Sequence, residues 1–319
     1  TQSRSSAASD VYKRQGQVVV DLVMAVSALP AAGQDVLASS AAFEVGGGFN
    51  VMAAAARNGL STCYLGRHGV GRFGDMARQA MQAEGIECRL APSDDGDTGL
   101  CVALTDASAE RSFITRVGAE GVLQAADLCS ETATAEDWVM VSGYSLLHAD
   151  KAGPLLAWLQ QGGSAGALVF DPGPLACSPN IPGAEQLLER LAIWSSNREE
   201  ALQFTQAESL EQALQRLTTR LPEGALVILR DGPQGCWLAR GDSRLQVPGF
   251  AVEAVDTNGA GDAHIGVFLA GLAAGLHEPA AAARANAAAA IAVTRHGPAT
   301  CPSAGELEAF VAKQLSLIH

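Results

Sequence analysis

The second half of this chain shows a regular alternation of short apolar runs and segments with helical spacing. From about residue 137, four runs rich in β-branched and other apolar residues alternate with segments of helical spacing. Strands that alternate with helices are joined by crossover connections, which makes the sheet parallel and covers both of its faces. The pattern therefore predicts an α/β fold with strands at Trp138–Ser142, Ala167–Asp171, Leu191–Ser195 and Ala225–Arg230.

The first part of the chain has a different pattern. Residues 22–45 and 95–117 contain short, loosely alternating segments, and the first stretch is interrupted by Pro30 and Gly33. Alternation broken by turn residues is typical of short antiparallel strands. We expect the two stretches to pair into one small accessory sheet beside the α/β unit.

Composition excludes several classes of function. The chain has 319 residues, of which 48% are hydrophobic and 17% charged, as expected for one large globular domain or two small ones. A net charge of −13 argues against binding to nucleic acid or to an anionic membrane. The seven cysteines are scattered and never form a C-x-x-C pair. They favour reduced thiols in the cytoplasm over disulfides or zinc.

The two ends of the chain share an origin outside the fold. Val11–Gln15 can be encoded by GTG TAT AAG AGA CAG, and the reverse complement of that string encodes Leu315–His319. The string resembles the transposon-end adapter used in sequencing libraries, so one inverted DNA element explains both pentapeptides. We therefore expect residues 1–15 and 315–319 to be non-native, with a single domain over 16–314.

The run Ala254–His264 combines the parts that phosphoryl transfer needs. Gly259 and Gly261 leave the backbone bare at the predicted start of an Ala-rich helix, so a ligand can approach the main chain closely. The amides of a helix start and the helix dipole attract an anion. Asp262 adds a carboxylate that can accept a proton from a hydroxyl. Donors for a phosphate beside a base for a hydroxyl predict a phosphoryl-transfer site.

Two further glycine-rich segments precede helices. Gly46–Phe49, followed by Asn50, would let a ligand lie against the backbone beside an amide side chain; a turn capped by Asn50 is the alternative. Gly69–Gly74 matches the G-x-G-x-x-G pattern, which leaves an NAD-dependent dehydrogenase as a distant alternative. The short helix after it and the absence of an acidic residue after a second parallel strand favour a structural turn.

Polar residues also follow two of the predicted parallel strands. Asn197 and Glu200 lie three residues apart on a first helical turn, either as oxygen ligands for Mg²⁺ or as a reciprocal helix cap. Arg230–Gly235 connects two strands and contains two glycines, as in hairpins that cradle a phosphate or a base and also in plain turns. Both segments are expected at the carboxyl edge of the sheet.

These motifs together resemble the ribokinase-like (PfkB) carbohydrate kinases, and the resemblance covers essentially all of 16–314. Its most specific part runs from Val247–Phe250 to Asp262 and continues in Ala287–Gly297. The resemblance implies a ribokinase-like α/β fold, with a central, mostly parallel sheet flanked by helices and a small β-sheet lid formed by the two early stretches. It also implies ATP-dependent transfer of the γ-phosphate to a hydroxymethyl group of a small sugar, with Mg²⁺ and K⁺.

The resemblance assigns roles to residues by position. The base and the amides of the anion hole would be Asp262, Gly259, Ala260 and Gly261. The acceptor would be held by Asp21, Gly47, Gly48 and Asn50. The nucleotide would contact Asn197, Gly232, Gly235 and Asn286, with Asn197 and Glu200 near Mg²⁺ through water. Potassium would be surrounded, mostly by backbone carbonyls, at Asp256, Asn258, Arg295 and Gly297.

The acceptor end departs from the ribokinase pattern. The early glycine motif has no Lys, Ser142–Tyr144 contains no acidic sugar ligand, and the usual residues are replaced at Asn258, His264 and Cys301. A nucleoside kinase of the same fold is therefore the alternative, and the aromatic residues that could stack on a base are Phe43, Phe49 and Phe113. The lid strands could also pair between two chains to form a homodimer.

Overall fold

The computed structural model describes residues 11–107, 111–178, 181 and 183–316. The strands are β1 (Val11–Gln15), β2 (Val18–Val26), β3 (Ala38–Gly47), β4 (Ser61–Tyr64), β5 (Glu87–Cys88), β6 (Leu100–Thr105), β7 (Arg111–Arg116), β8 (Trp138–Ser142), β9 (Ala167–Asp171), β10 (Leu191–Asn197), β11 (Leu226–Arg230), β12 (Cys236–Arg240) and β13 (Ser243–Val247). The helices are α1 (Gly48–Arg57), α2 (Arg72–Ala83), α3 (Ala125–Leu128), α4 (Ala149–Gln160), α5 (Ala184–Leu188), α6 (Arg198–Thr205), α7 (Leu210–Arg220), α8 (Ala260–Ala273), α9 (Glu278–Ala292) and α10 (Ala304–Ser316). None of these helices is long and apolar enough to cross a membrane.

A nine-stranded sheet forms the centre of the molecule. Its strand order is β13-β12-β11-β10-β9-β8-β1-β4-β5, and only β12 and β13 at one edge run antiparallel to their neighbours. The four strands predicted from the alternating pattern are β8 to β11, found within two residues of the expected bounds. The prediction of a mostly parallel sheet flanked by helices is confirmed.

Helices cover both faces of this sheet. On one face, Trp158 of α4 and Phe204 of α6 pack into a cluster with β8 to β11; on the other, α1, α8 and α9 pack with small side chains. Gly266 of α8 lies so close to α1 that a Cβ there would be 2.7 Å from the Ala54 methyl group. Because α1 and α8 approach this closely, their amino ends meet at one place above the sheet.

A separate four-stranded sheet, the lid, has the order β3-β2-β6-β7. The apolar run in Gly16–Val20 predicts a buried strand that ends at Asp21. These bounds are wrong, because β2 runs from Val18 to Val26. After Gln17 the chain leaves the large sheet and becomes an inner strand of the lid, antiparallel to β3 and parallel to β6. The two early stretches therefore pair into one sheet, as expected.

The chain ends bear on the sequence-based assignment of foreign segments. Residues 1–10 and 317–319 lie outside the described residues, whereas Val11–Gln15 forms β1 between β4 and β8. Parallel pairing uses backbone atoms only, so any extended segment can fill that position. The non-native origin of these residues stays a prediction about the underlying DNA.

Candidate active site

The start of α8 carries the base and the amides predicted for phosphoryl transfer. Gly259 precedes the helix with φ +72°, and a Cβ there would lie 1.9 Å from the Pro298 carbonyl oxygen, so the turn requires glycine. The first amide with a helical acceptor is that of Ala263, which donates to the Gly259 carbonyl at 2.8 Å. The amides before it belong to the open helix start, where that of Ala260 makes a long bond of 3.4 Å to the Thr257 carbonyl. Asp262 lies in this first turn.

Asn50 connects the start of α1 to this turn. Its Nδ2 donates to Asp262 Oδ2 at 3.1 Å, although 212 residues separate the two in the chain. The side chain is 5% exposed, and its Oδ1 has no hydrogen-bond partner among the described residues. A buried amide oxygen without a donor costs free energy, so it is available for a ligand hydroxyl.

Asp21 lies on the lid strand that faces the same turn. Its Oδ2 lies 2.1 Å from the position of a Cβ on Gly46, so only glycine fits beside it. Burial, and then the negative charge of Glu44 directly opposite on β3, raises the pKa of Asp21 to about 6. Within the described part of the chain, no basic group forms an ion pair with Asp21 or Glu44.

Asp256 fastens the turn before α8 to the loop after α9. Its Oδ1 accepts from the Asn258 amide at 2.7 Å and its Oδ2 from the Gly297 amide at 3.1 Å. The residues predicted for potassium are thus brought together, except that the Arg295 guanidinium points away to Glu306 at 2.7 Å. One carboxylate beside a loop of exposed backbone carbonyls is a donor set that suits a hard monovalent cation.

A guanidinium lies under the open helix start. Arg230 Nη1 donates to Asp171 Oδ2 at 2.9 Å and to Ser195 Oγ at 2.7 Å, while Nη2 lies 3.5 Å from Glu200 Oε2. Burial alone would lower the pKa of Arg230, but the carboxylates, including Asp262, more than compensate and raise it. The phosphoryl side of the site therefore carries a fixed positive charge.

Asn197 and Glu200 form the reciprocal helix cap that was one of two alternatives. Asn197 Oδ1 accepts from the Glu200 amide and Glu200 Oε2 from the Asn197 amide, both at 2.8 Å. Burial and the charge of Asp171 raise the pKa of Glu200, a penalty that a nearby cation would relieve. The described residues contain no cluster of three His, Cys, Asp or Glu side chains suited to a metal. Glu200 Oε1, which takes no part in the cap, is an oxygen donor of the kind that Mg²⁺ prefers.

The remaining nucleotide-site predictions lie at the same edge but differ in what they touch. Gly232 and Gly235 form the turn after β11, closed by a hydrogen bond from the Asp231 amide to the Gly235 carbonyl at 2.8 Å. Asn286 is buried; its Nδ2 donates to the carbonyls of Val247 and Pro248, and its Oδ1 faces His264 Nε2 at 3.1 Å. Its amide is therefore committed to the protein.

Comparison with known proteins agrees with this geometry. The model of the pfkB family carbohydrate kinases matches residues 15–304. The chain is a pfkB family carbohydrate kinase. An uncharacterized sugar kinase, YegV, of Escherichia coli is 32% identical over 300 residues, which cover 92% of this chain and 91% of that protein.

Solved structures share the fold of this kinase. A ribokinase of Arabidopsis thaliana, complexed with ribose and ATP, superposes with a TM-score of 0.75 at 20% identity and covers 96% of this chain and 99% of its own. An adenosine kinase of Sinorhizobium meliloti gives 0.79 at 22% identity and covers 97% and 100%. At these identities the likeness shows the ribokinase fold, with both sugar and nucleoside kinases among its members.

The dinucleotide-like pattern of the kinase is a structural turn. Asp97 Oδ1 and Oδ2 accept from the amides of Gly74 and Phe73, at 2.8 and 3.0 Å. Its carboxylate thus binds the start of α2, where a dinucleotide pyrophosphate would have to lie. The dehydrogenase alternative is wrong, because the anion position of Gly69–Gly74 is filled by the chain itself.

The three aromatic residues proposed to stack on a base have different surroundings. Phe43 packs against Phe73, with ring centroids 6.0 Å apart, and Arg72 covers its ring. Phe49 is buried in the core cluster. Phe113 is 57% exposed and lies opposite Ala103, on the face of the lid that also carries Asp21. Of the three, Phe113 has the most exposed ring, and it shares its face of the lid with Asp21.

Sequence reasoning missed three polar residues of this kinase. Asp171 and Arg230 end strands β9 and β11, and Glu44 lies opposite Asp21. The sequence signal for Asp171 and Arg230 is their position, because each is a charged residue at the end of an otherwise apolar parallel strand. The carboxyl ends of parallel strands lie at one edge of the sheet, where ligands bind. Pairing them also requires the strand order, which the sequence pattern does not contain.

Proposed function

We propose that this kinase transfers the γ-phosphate of ATP to a hydroxymethyl group of a small, uncharged sugar. One observation carries the proposal: the base Asp262 is held by Asn50, whose own buried oxygen still lacks a donor. The reacting hydroxyl would donate its one proton to Asp262, and a neighbouring hydroxyl of the same acceptor would donate to the Asn50 oxygen. Asp21, together with the backbone at Gly47 and Gly48, would hold the neighbouring hydroxyls.

The charge of the lid supports an uncharged acceptor. Asp21 and Glu44 face each other across β2 and β3, and each raises the electrostatic cost of a negative group nearby. A sugar phosphate or sugar acid would bring a second anion to carboxylates that have no basic partner in the described residues. Hydroxyl groups, in contrast, donate hydrogen bonds to carboxylates. The proposed acceptor is therefore a neutral polyhydroxy compound.

The proposed chemistry assigns one task to each group. The Asp262 carboxylate orients the acceptor hydroxyl and takes its proton, a contribution typically on the order of 10²–10⁴-fold. The amides of Gly259, Ala260 and Gly261 stabilise the negative charge on the transferring phosphoryl group. Closure of the lid excludes water, so that the sugar hydroxyl attacks instead.

The proposal includes two cations. Mg²⁺ would bind near Asn197 and Glu200 with the nucleotide phosphates and would neutralise part of their charge. Potassium would bind beside Asp256, Asn258, Arg295 and Gly297 and would hold the turn before α8 in place. The nucleotide itself would lie along the turn that contains Gly232 and Gly235, with Asn286 behind it. We further propose a cytoplasmic location, where ATP is available.

A nucleoside is the second candidate acceptor, because the exposed Phe113 lies on the acceptor face of the lid. Stacking on an aromatic ring typically contributes about 1–3 kcal/mol per base. Pairing of the lid strands between two chains, which would make the kinase a homodimer, is a further proposal for this lid.

A panel of acceptors distinguishes these possibilities. ADP release would be measured with ATP, Mg²⁺ and K⁺ against neutral sugars, their phosphates, sugar acids and nucleosides. We expect a neutral sugar to give the highest kcat/KM, at least tenfold above its phosphorylated or carboxylated forms. Preference for a nucleoside, with loss of that preference in Phe113→Ala, would support the second candidate. Turnover with none of these compounds would contradict the proposed function.

A further inference from the structure

Arg230 is placed differently from an ordinary surface arginine. Its side chain is only 13% exposed. A Cβ built on Gly261 would lie 3.2 Å from Arg230 Cζ, 3.3 Å from Nη2 and 3.4 Å from Nε. Three nearly equal distances mean that the guanidinium turns its flat face toward Gly261. The guanidinium of Arg230 therefore lies directly beneath Gly261, the last of the three residues assigned to the anion hole.

The guanidinium also has donors to spare. It carries five N–H groups in a planar fork, and its bonds to Asp171 and Ser195 both use Nη1. Nη2 has only the 3.5 Å contact with Glu200, and no acceptor bonds to Nε within the residues that the structure describes. A largely buried cation with unused donors is costly unless a ligand supplies the acceptors.

Arg230 lies among acidic side chains. Asp171, Glu200 and Asp262 all act on it, so the local side chains carry more negative than positive charge, and a phosphate group here needs the donors of Arg230 and of the helix start. The Arg230 guanidinium supplies a positive group among these carboxylates, at the point where the γ-phosphoryl group of ATP must approach the helix start. Asp171 and Ser195 hold one edge of the fork and thereby fix its orientation.

On this geometry, and resting on the proposed function, we propose that Arg230 is a catalytic residue that donates hydrogen bonds to the transferring phosphoryl group. In the step, the acceptor oxygen forms a bond to the γ-phosphorus and its proton passes to Asp262. The bond from phosphorus to the β–γ bridging oxygen breaks, and its electron pair leaves with ADP. Arg230 and the amides of the helix start share the negative charge on the non-bridging oxygens.

A purely structural role makes a different prediction. If Arg230 only neutralised Asp171 and Glu200, its loss would disturb the whole nucleotide edge, and every nucleotide would bind less well by a similar factor. If Arg230 touches the γ-phosphoryl group, the loss depends on the number of phosphates. Binding of AMP, ADP and the non-hydrolysable β,γ-imido-ATP therefore separates the two roles.

The test uses calorimetric titration of the full chain with these three nucleotides and Mg²⁺. In Arg230→Met we expect the Kd for β,γ-imido-ATP to rise at least tenfold and that for AMP to rise less than threefold. Turnover should fall roughly 10²–10³-fold, the usual effect of removing one such donor. Arg240→Met is the matched control, because Arg240 lies on the next strand and pairs with Glu278. It should leave all three Kd values unchanged.

The design separates the possible failures. Equal losses for all three nucleotides, or no loss for β,γ-imido-ATP, would overturn the role of Arg230. If Arg230→Met unfolds, the same titration compares Asp171→Asn with Asp171→Asn/Arg230→Met, which removes the buried charge and its partner together. Nucleotide binding needs no acceptor. A wild-type protein that binds β,γ-imido-ATP but phosphorylates no sugar or nucleoside therefore contradicts the proposed function and leaves the binding comparison intact.

Discussion

Each half of the site contains a pair of acidic side chains, but the surroundings of the two pairs differ. On the phosphoryl side, Asp171 and Glu200 lie beside a guanidinium that is hydrogen-bonded to Asp171 at 2.9 Å. On the acceptor side, Asp21 and Glu44 face each other on neighbouring strands with no basic group paired to either in the described residues. The carboxylates thus share one guanidinium where the nucleotide is proposed to bind, and they have no basic partner among the residues described where hydroxyl groups are proposed to bind.

This difference indicates how one cleft can separate two substrates. On the proposed function, Arg230 and the helix start offer N–H donors to phosphate, whereas the lid offers carboxylates that accept hydrogen bonds from hydroxyl groups. Asp262 lies at the boundary, in contact with Asn50 from the acceptor side and within the field of Arg230. The following substitutions test that division.

Substitution at the boundary should have the largest effect. Asp262→Asn keeps the shape of the side chain but removes the base, so we expect kcat to fall about 10²–10⁴-fold with the Kd for ATP nearly unchanged. Steady-state kinetics and calorimetry measure the two quantities. Asp242→Asn, in the exposed turn between β12 and β13, is the matched control. Full activity of Asp262→Asn would show that another group is the base.

Asp21→Asn should have an intermediate effect, visible in both stability and acceptor binding. The pKa of Asp21 is raised from 3.8 to about 6, so the folded state binds more protons than the unfolded state between these values. Stability therefore falls as pH rises through this window. Above it, removing the charge should stabilise the free protein by about 1–3 kcal/mol, and the gain should vanish near pH 4.

The same variant should bind its acceptor less tightly, with KM rising at least tenfold and kcat changing less. Chemical denaturation at pH 4 and pH 8 gives the stability difference, and acceptor titrations give KM. A variant that is equally stable at both pH values relative to wild type would mean that Asp21 has an ordinary pKa and is not held in a low-dielectric site.

Glu44→Gln should have the smallest effect. Burial and the charge of Asp256 raise the pKa of Glu44, and relief of the cross-strand repulsion should stabilise the protein by about 0.2–0.5 kcal/mol at pH 8. Discrimination against phosphorylated acceptors should narrow severalfold, measured as a ratio of kcat/KM values. Glu253→Gln, at an exposed position, should leave this ratio unchanged. An unchanged ratio of kcat/KM values in Glu44→Gln would show that Glu44 does not affect which acceptor the kinase prefers.

Local sequence signals were sufficient for the fold and for one part of the site. The strands β8 to β11 were predictable because both faces are covered, which makes them continuous apolar runs. Gly259 and Asp262 were predictable because a helix start with glycines and a carboxylate lies within one short segment. Asp21 was assigned to the acceptor by the family resemblance alone, and its strand was ended too early, since only the lid pairing extends β2 to Val26.

The parts that could not be predicted depend on contacts between distant segments. Arg230 and Asp171 are 59 residues apart in the chain. They meet because β11 and β9 both neighbour β10, and the long Arg230 side chain reaches across it. The environment of Asn286 was also beyond sequence reasoning, because its amide is used by His264 and by two backbone carbonyls. Periodicity shows which face of a helix or strand is buried, but it does not show which side chains of other elements that face will contact.

The carboxylate of Asp97 on the amides of α2 has a consequence for the fidelity of nucleotide binding. Helices α2 and α8 both begin directly after a glycine, so both starts offer open amides to a phosphate group. A carboxylate attached to the same chain has a high effective concentration at its site and competes there with a freely diffusing nucleotide. The Asp97 carboxylate therefore occupies the start of α2, and of these two helix starts that of α8 is left open for the phosphates of ATP.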